Sequence, residues 1–251
     1  MSEFQKTFSK LSYRNSWSTI FTDFLDLCIC CFANGRLEAE YLKIVSRYEK
    51  RDVDLFAELL AAMIVDYESH SSKEGAWCDM LGDYYMEFGS LAGKQWHGQY
   101  FTPEPMCDMM SKMIIGDENR DKLSICDPAC GSGRMLVSVS RMNSSFRHKL
   151  FAVGMDLDSL VCKMAVINFV LYGIKGVIIN MNSLSQEVYQ GWRVFSPETG
   201  FGIVKLSKEE CFPYLYTENK EIAVKNISIA TVESDQNVIN INEIGTQLKL
   251  F

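Results

Sequence analysis

Apolar residues in the first ninety positions recur at the helical interval. Phe21, Phe24, Leu25, Cys28 and Phe32 share one face, and Asn34-Gly35 supplies a stop. Leu37–Tyr48 predicts a second helix. Asp52 is placed to cap a third, with Leu55, Leu59, Ala62 and Met63 on one side. Trp77, Met80, Leu81, Tyr84, Tyr85 and Phe88 mark a fourth, which Gly89 and Gly93 bracket. Four helices on short loops predict a small helical domain over residues 1–93. Its aromatic and methionine stripes read as core.

From position 104 the period changes. Pro105–Ile115 is helical, Lys122–Asp127 a short strand, and Gly133–Met142 a helix. Leu150–Asp156 is a second strand, Ser159–Tyr172 a helix, and Val177–Met181 a third strand. This alternation predicts an α/β fold with a parallel, doubly wound, Rossmann-like sheet. The sheet region is expected over 94–210. Residues 185–251 are more polar and less periodic, with a strand over Phe201–Leu206 and weak β runs in 221–242. Residues 211–251 are expected to form a β-rich extension or tail.

Composition narrows the classes without choosing among them. The 251 residues are 47% hydrophobic and 23% charged, which is ordinary globular usage and excludes a wholly disordered or collagenous chain. No apolar run approaches the ~20 residues of a membrane span, and the first ten residues lack a secretory h-region. Nine cysteines occur without a C-x-x-C, and His70, His97 and His148 lie far apart, so no metal site is expected. Reduced thiols used as small hydrophobes fit a cytoplasmic protein. Net charge is −7, concentrated in residues 1–90, where nine Lys and Arg face fifteen Asp and Glu. Neither half is a basic platform for nucleic acid, so a grip on DNA phosphates would come from a partner or a local patch.

Three segments carry chemistry. Asp127-Pro128-Ala129-Cys130-Gly131-Ser132-Gly133 lies where an apolar strand becomes a helix. Glycines there let the chain turn sharply and let a ligand approach the backbone. The loop lacks the third glycine of G-x-G-x-x-G, because Leu136 stands there, and no G-K-[ST] follows. Gly154-Met155-Asp156-Leu157-Asp158 closes the second strand. Asp156, 25 residues after Gly131, is placed to accept ribose hydroxyls, whereas Asp158 suits a helix cap. Asn182-Ser183 follows the third strand, within reach of an adenine edge or as a plain turn. Upstream, Gly98-Gln99-Tyr100-Phe101-Thr102-Pro103 leads into a helix.

These segments, in this order, resemble the adenine-N6 DNA methyltransferases, most of all the modification subunits of type I restriction systems and their relatives on bacterial mobile elements. The resemblance is dense over 95–184 and looser over 1–94. It implies a fold and a cofactor, S-adenosylmethionine. It would place Tyr100, Phe101, Thr102, Pro103, Asp127 and the backbone from Pro128 through Ala129, Cys130, Gly131 and Ser132 to Gly133 beside the methionine part. Asp156, with Leu157, would hold the ribose, and Asn182-Ser183 would meet the adenine. DNA is the implied target, reached through a partner subunit.

The sequence departs from the family at the catalytic motif, Asn-Pro-Pro-aromatic. In the family that motif holds a flipped adenine and accepts hydrogen bonds from its amine. None of the five prolines is adjacent to another. The best alignable stretch puts Ser207 at the Asn position and Lys208-Glu209 at the prolines. A non-catalytic accessory of DNA modification is the alternative, and a methyltransferase of another substrate is a third reading. The terminal Gln247-Leu248-Lys249-Leu250-Phe251 is similar to peptides that dock on bacterial sliding clamps, which makes Gln247, Leu248, Leu250 and Phe251 a candidate clamp-binding tail; a last strand packed on the core is the other reading.

Overall fold

In the computed structural model, residues 2–13, 16–71, 76–91, 101–115, 123–142, 149–195, 200, 202–215 and 248–250 are described. Among the described residues, five helices precede residue 93: α1 (Glu3–Ser12), α2 (Trp17–Phe32), α3 (Glu38–Val45), α4 (Lys50–Ser71) and α5 (Met80–Leu91). The first was not read from the pattern. It buries Phe4, Phe8 and Leu11, and Ser2 and Gln5 close a reciprocal capping box at its start. Helix α4 begins two residues before the expected cap, so Asp52 sits inside its first turn, where a carboxylate favours the helix dipole. Ring stacking holds the group together: Phe4 lies on Tyr84 at 4.1 Å and Phe8 on Phe88 at 4.2 Å.

Helix α6 (Glu104–Ile115) leads into the alternating region: β1 (Leu123–Asp127), α7 (Arg134–Arg141), β2 (Leu150–Asp156), α8 (Ser159–Tyr172) and β3 (Gly176–Asn182). Strands β1, β2 and β3 are parallel neighbours, as expected. Asp158 caps α8 by accepting the Leu160 N–H at 2.7 Å. Strand β4 (Glu187–Phe195) was not anticipated. It turns back antiparallel to β3, with a register shift at Asn180/Met181 that interrupts its alternation. Strand β5 (Gly202–Leu206) returns antiparallel to β4, followed by the single turn α9 (Lys208–Cys211) and a 3-10 turn at Phe212–Tyr214.

The sheet order is β5-β4-β3-β2-β1-β6, where β6 is Leu248–Leu250. Ser124, Ile125 and Cys126 of β1 pair in parallel with Leu248, Lys249 and Leu250. This corrects the free clamp-binding tail. The backbone of Leu248–Leu250 is committed to the sheet, where it satisfies the N–H and C=O groups that β1 would otherwise leave unpaired at an edge. Gln247 and Phe251 lie outside the described residues, as do the weak β runs of 221–242 and most of the expected extension.

The two faces of the sheet differ. Leu123, Ile125, Leu150, Ala152, Ile178 and Trp192 share one buried cluster with α7, α8 and the first five helices. Lys163 of α8 pairs with Asp26 of α2 at 2.7 Å, and the Tyr67 hydroxyl donates to the Leu171 carbonyl at 2.8 Å. The opposite face, with Cys126, Val153, Met155, Val177 and Ile179, is packed by Cys211, Tyr214 and Leu215 from the segment after β5. No helix among the described residues is long and apolar enough to cross a membrane.

Candidate functional site

The C-terminal ends of β1, β2 and β3 lie along one edge of the sheet. The chain leaves β1 through α7 towards β2, while β6 flanks β1 on its other side. That reversal makes the end of β1 a switch point, where open α/β sheets form a crevice. The glycine loop occupies it.

The loop is held from beneath by β2. The Cys130 N–H donates to the Met155 carbonyl at 2.8 Å, and the Gly131 N–H donates to Asp156 Oδ2 at 2.9 Å. Asp156 Oδ1 accepts the Asp158 N–H at 2.9 Å. Asp127 turns back to accept the Ala129 N–H at 3.1 Å. Gly131 and Gly133 have φ of 54° and 86°, left-handed values that disfavour a side chain. A Cβ on Gly131 would come within 3.3 Å of the Phe101 ring. The third strand joins through Ser183, whose hydroxyl donates to the Pro128 carbonyl at 2.6 Å. Asn182 Oδ1 accepts the N–H groups of Leu184 and Ser185 and thereby shapes the β3–β4 turn.

The structure therefore gathers Phe101, Thr102, Asp127, Pro128, Ala129, Cys130, Gly131, Ser132, Gly133, Asp156 and Ser183 around one loop. Leu157, beside Asp156, is 60% exposed. Pro103 starts the turn into α6, its carbonyl accepting the Met106 and Cys107 N–H groups. Tyr100 lies outside the described residues. Burial pushes Asp127 up to about 6, opposed by the Ala129 N–H and reinforced by the negative charge of Asp156. Burial also raises the Cys130 thiol well above its ordinary value, so it stays protonated.

Ser207 is not part of this group. Its hydroxyl accepts the Glu210 N–H at 3.3 Å, and its N–H donates to Glu210 at 2.7 Å, a capping box for α9. It follows β5, four strands from β1, which is roughly 19 Å at sheet spacing. In the structure the residue serves a helix start at the end of β5, and it is not brought together with the glycine loop. No group of three or more His, Cys, Asp or Glu among the described residues could hold a metal ion.

A buried polar cluster beside the loop was missed from the sequence. Asp79, fully buried, accepts from the Ser132 hydroxyl at 2.5 Å, Arg134 Nε at 2.7 Å, the Gly82 N–H at 3.0 Å and Asn168 Nδ2 at 2.9 Å. Arg134 also reaches Asp83 at 2.6 Å and the Thr102 carbonyl at 3.3 Å, and lies 5.2 Å from the Phe101 ring centroid. A signal was present. Arg134 puts a cation at the first turn of a helix, against the dipole, where a carboxylate must compensate it. Which carboxylate does so is fixed 55 residues away.

Comparison with known proteins agrees with these motifs. Residues 77–199 match the family model described as N-6 DNA Methylase. Two methylase subunits of type I restriction enzymes from Methanocaldococcus jannaschii are similar. MjaVIII is 30% identical over 115 residues (44% of this chain, 19% of the relative), and MjaVII is 26% identical over 129 residues (50% and 21%). The chain thus spans about a fifth of the length of the curated relatives it matches. Among solved structures, a type I restriction-modification methyltransferase subunit from Streptococcus thermophilus is 20% identical, with a TM-score of 0.41 over 72% of this chain and 39% of that one. A modification subunit of a type I restriction enzyme from Vibrio vulnificus is 25% identical, with a TM-score of 0.33 over 42% and 23%. With the loop, Asp156 and the Phe101–Pro103 segment in one place and the family match running through all three, residues 77–199 of this chain form an N-6 DNA methylase family segment.

Proposed function

We propose that this chain binds S-adenosylmethionine at the end of β1 and supplies the cofactor half of an adenine-N6 DNA methyltransferase. The observation that carries the reading is the junction of Asp156 with the Gly131 N–H at the switch point, beneath the Phe101 ring. The residues fit the cofactor. A carboxylate offers about four acceptor sites. Asp156 spends two on Gly131 and Asp158, which leaves two for ribose hydroxyls. The bare Cα of Gly131 keeps open the space that a Cβ would fill against Phe101. Leu157 offers an exposed apolar side chain next to the ribose acceptor. Because the oxygen of Asn182 is committed to its turn, an adenine edge would meet its amide nitrogen as a donor. Asp127 and the loop backbone would face the methionine part together with Tyr100 to Pro103.

When bound, the cofactor supplies an electrophilic methyl group. Accepting it requires a site for the flipped adenine. The chain has no adjacent prolines, and Ser207 follows β5, which lies four strands from β1, roughly 19 Å at sheet spacing. Transfer to DNA would therefore need catalytic residues from another polypeptide segment. The net charge of −7 favours the same arrangement, in which a partner carries the basic surface for DNA. These two observations also support the second reading, a non-catalytic accessory of DNA modification that retains the cofactor site. Calorimetry with S-adenosylmethionine and its demethylated product tests the proposal. Saturable heat and a thermal shift are expected, and no heat at millimolar ligand would refute it.

A further inference from the structure

We propose that Asp79, at the start of α5 and outside the segments that resemble the family motifs, is a positioning residue that sets the shape of the cofactor loop through Ser132 and Arg134. The proposal rests on the cofactor-binding reading of that loop.

The loop is gripped from two sides. Asp156 holds the Gly131 N–H from β2. Asp79 holds the Ser132 hydroxyl from the helical region, and Asn168 of α8 bridges them by donating to both Asp79 and the Ser132 carbonyl at 2.9 Å. The second grip reaches the Phe101–Thr102 segment. Arg134 is 5% exposed, and one guanidinium joins Asp79, Asp83, the Thr102 carbonyl and the Phe101 face. Planar, many-donor geometry of this kind is available to Arg and not to Lys.

Loss of the Asp79 charge would leave Arg134 buried beside the helix dipole's positive end, with only the half-exposed Asp83 as an ionic partner. The guanidinium would then move towards water, releasing the Thr102 carbonyl and the underside of Phe101, while Ser132 would lose its acceptor. Both walls of the site shift together, although Asp79 itself never touches the ligand. Asp23 provides a comparison. It is a buried carboxylate (4% exposed) that accepts from Arg47 at 2.8 Å and from the Tyr48 hydroxyl, within the helical region.

The test compares Asp79→Asn, Arg134→Lys and Asp23→Asn in the full chain, by hydrogen exchange and by calorimetry with S-adenosylmethionine. Asp79→Asn and Arg134→Lys should speed exchange in segments 101–102 and 129–133 by about tenfold while β2 and β3 keep wild-type rates. Both should weaken the cofactor by about tenfold or more, and Asp23→Asn should do neither. Uniform acceleration across the chain, or wild-type affinity in Asp79→Asn, would overturn the proposal. If the unsubstituted chain gives no binding heat, the cofactor reading fails by itself. Exchange then decides the positioning role: acceleration confined to the two segments supports it, and uniform or unchanged rates overturn it.

Discussion

Asp156 accepts the Gly131 N–H across 2.9 Å, so the strand that carries the candidate ribose acceptor also fixes the loop carried by its neighbour. One carboxylate would thus serve the loop's fold and, in the proposed function, the cofactor's ribose. Asp156→Ala should weaken S-adenosylmethionine by roughly 1.5–3 kcal/mol, the worth of a charge-assisted hydrogen bond. Asp156→Asn keeps one oxygen for the loop and should lose less. Titration calorimetry on both variants would show the order, and equal affinity in all three proteins would remove Asp156 from the site.

Gly131→Ala tests the loop without changing charge. Alanine at a φ of 54° costs roughly 1–2 kcal/mol, and its Cβ would stand 3.3 Å from the Phe101 ring. A lower thermal midpoint and loss of cofactor binding are expected. Full retention of both would show that the loop can rearrange freely.

Asp127 predicts a pH dependence. Burial raises its pKa to about 6 in the folded chain, above its unfolded value near 4. Its stabilising contribution is therefore complete below pH ~4 and lost as the pH rises through ~6. Asp127→Asn, neutral at every pH, should gain stability relative to the parent by about 2–3 kcal/mol between pH 4 and pH 7. Urea denaturation at steps of one pH unit measures it, and a flat difference would contradict the assignment.

Tyr172 links α8 to the start of α5. Its hydroxyl accepts the Cys78 N–H at 2.7 Å and donates to the Cys78 carbonyl at 2.8 Å. Tyr172→Phe would strand both buried backbone groups and should cost about 1–3 kcal/mol, with the ring contact to Tyr67 at 4.8 Å kept. Equilibrium unfolding in urea checks this.

The isolated chain should transfer no methyl group to DNA. Incorporation of tritiated methyl into unmodified genomic DNA should not exceed that of a Gly131→Asp control. Transfer well above that control would require an acceptor site outside the residues considered above.

The sequence by itself determined the alternation around β1, β2 and β3, the glycine turn, the cap at Asp158 and the order of the three motif segments. Each depends on neighbours within a few residues: apolar period, backbone freedom or a local hydrogen bond. Strand β4 escaped because its register shift breaks the alternation that marks a strand, whereas α1 does carry a helical interval in Phe4, Phe8 and Leu11. The tertiary structure alone decided three things. It paired Leu248–Leu250 with β1, a contact more than 120 positions apart in the chain. It set Ser207 across the sheet as a helix cap. It also chose Asp79 as the partner of Arg134, 55 positions away. Those outcomes follow from which buried donors and edges lacked partners once the elements packed, a condition that no local pattern encodes.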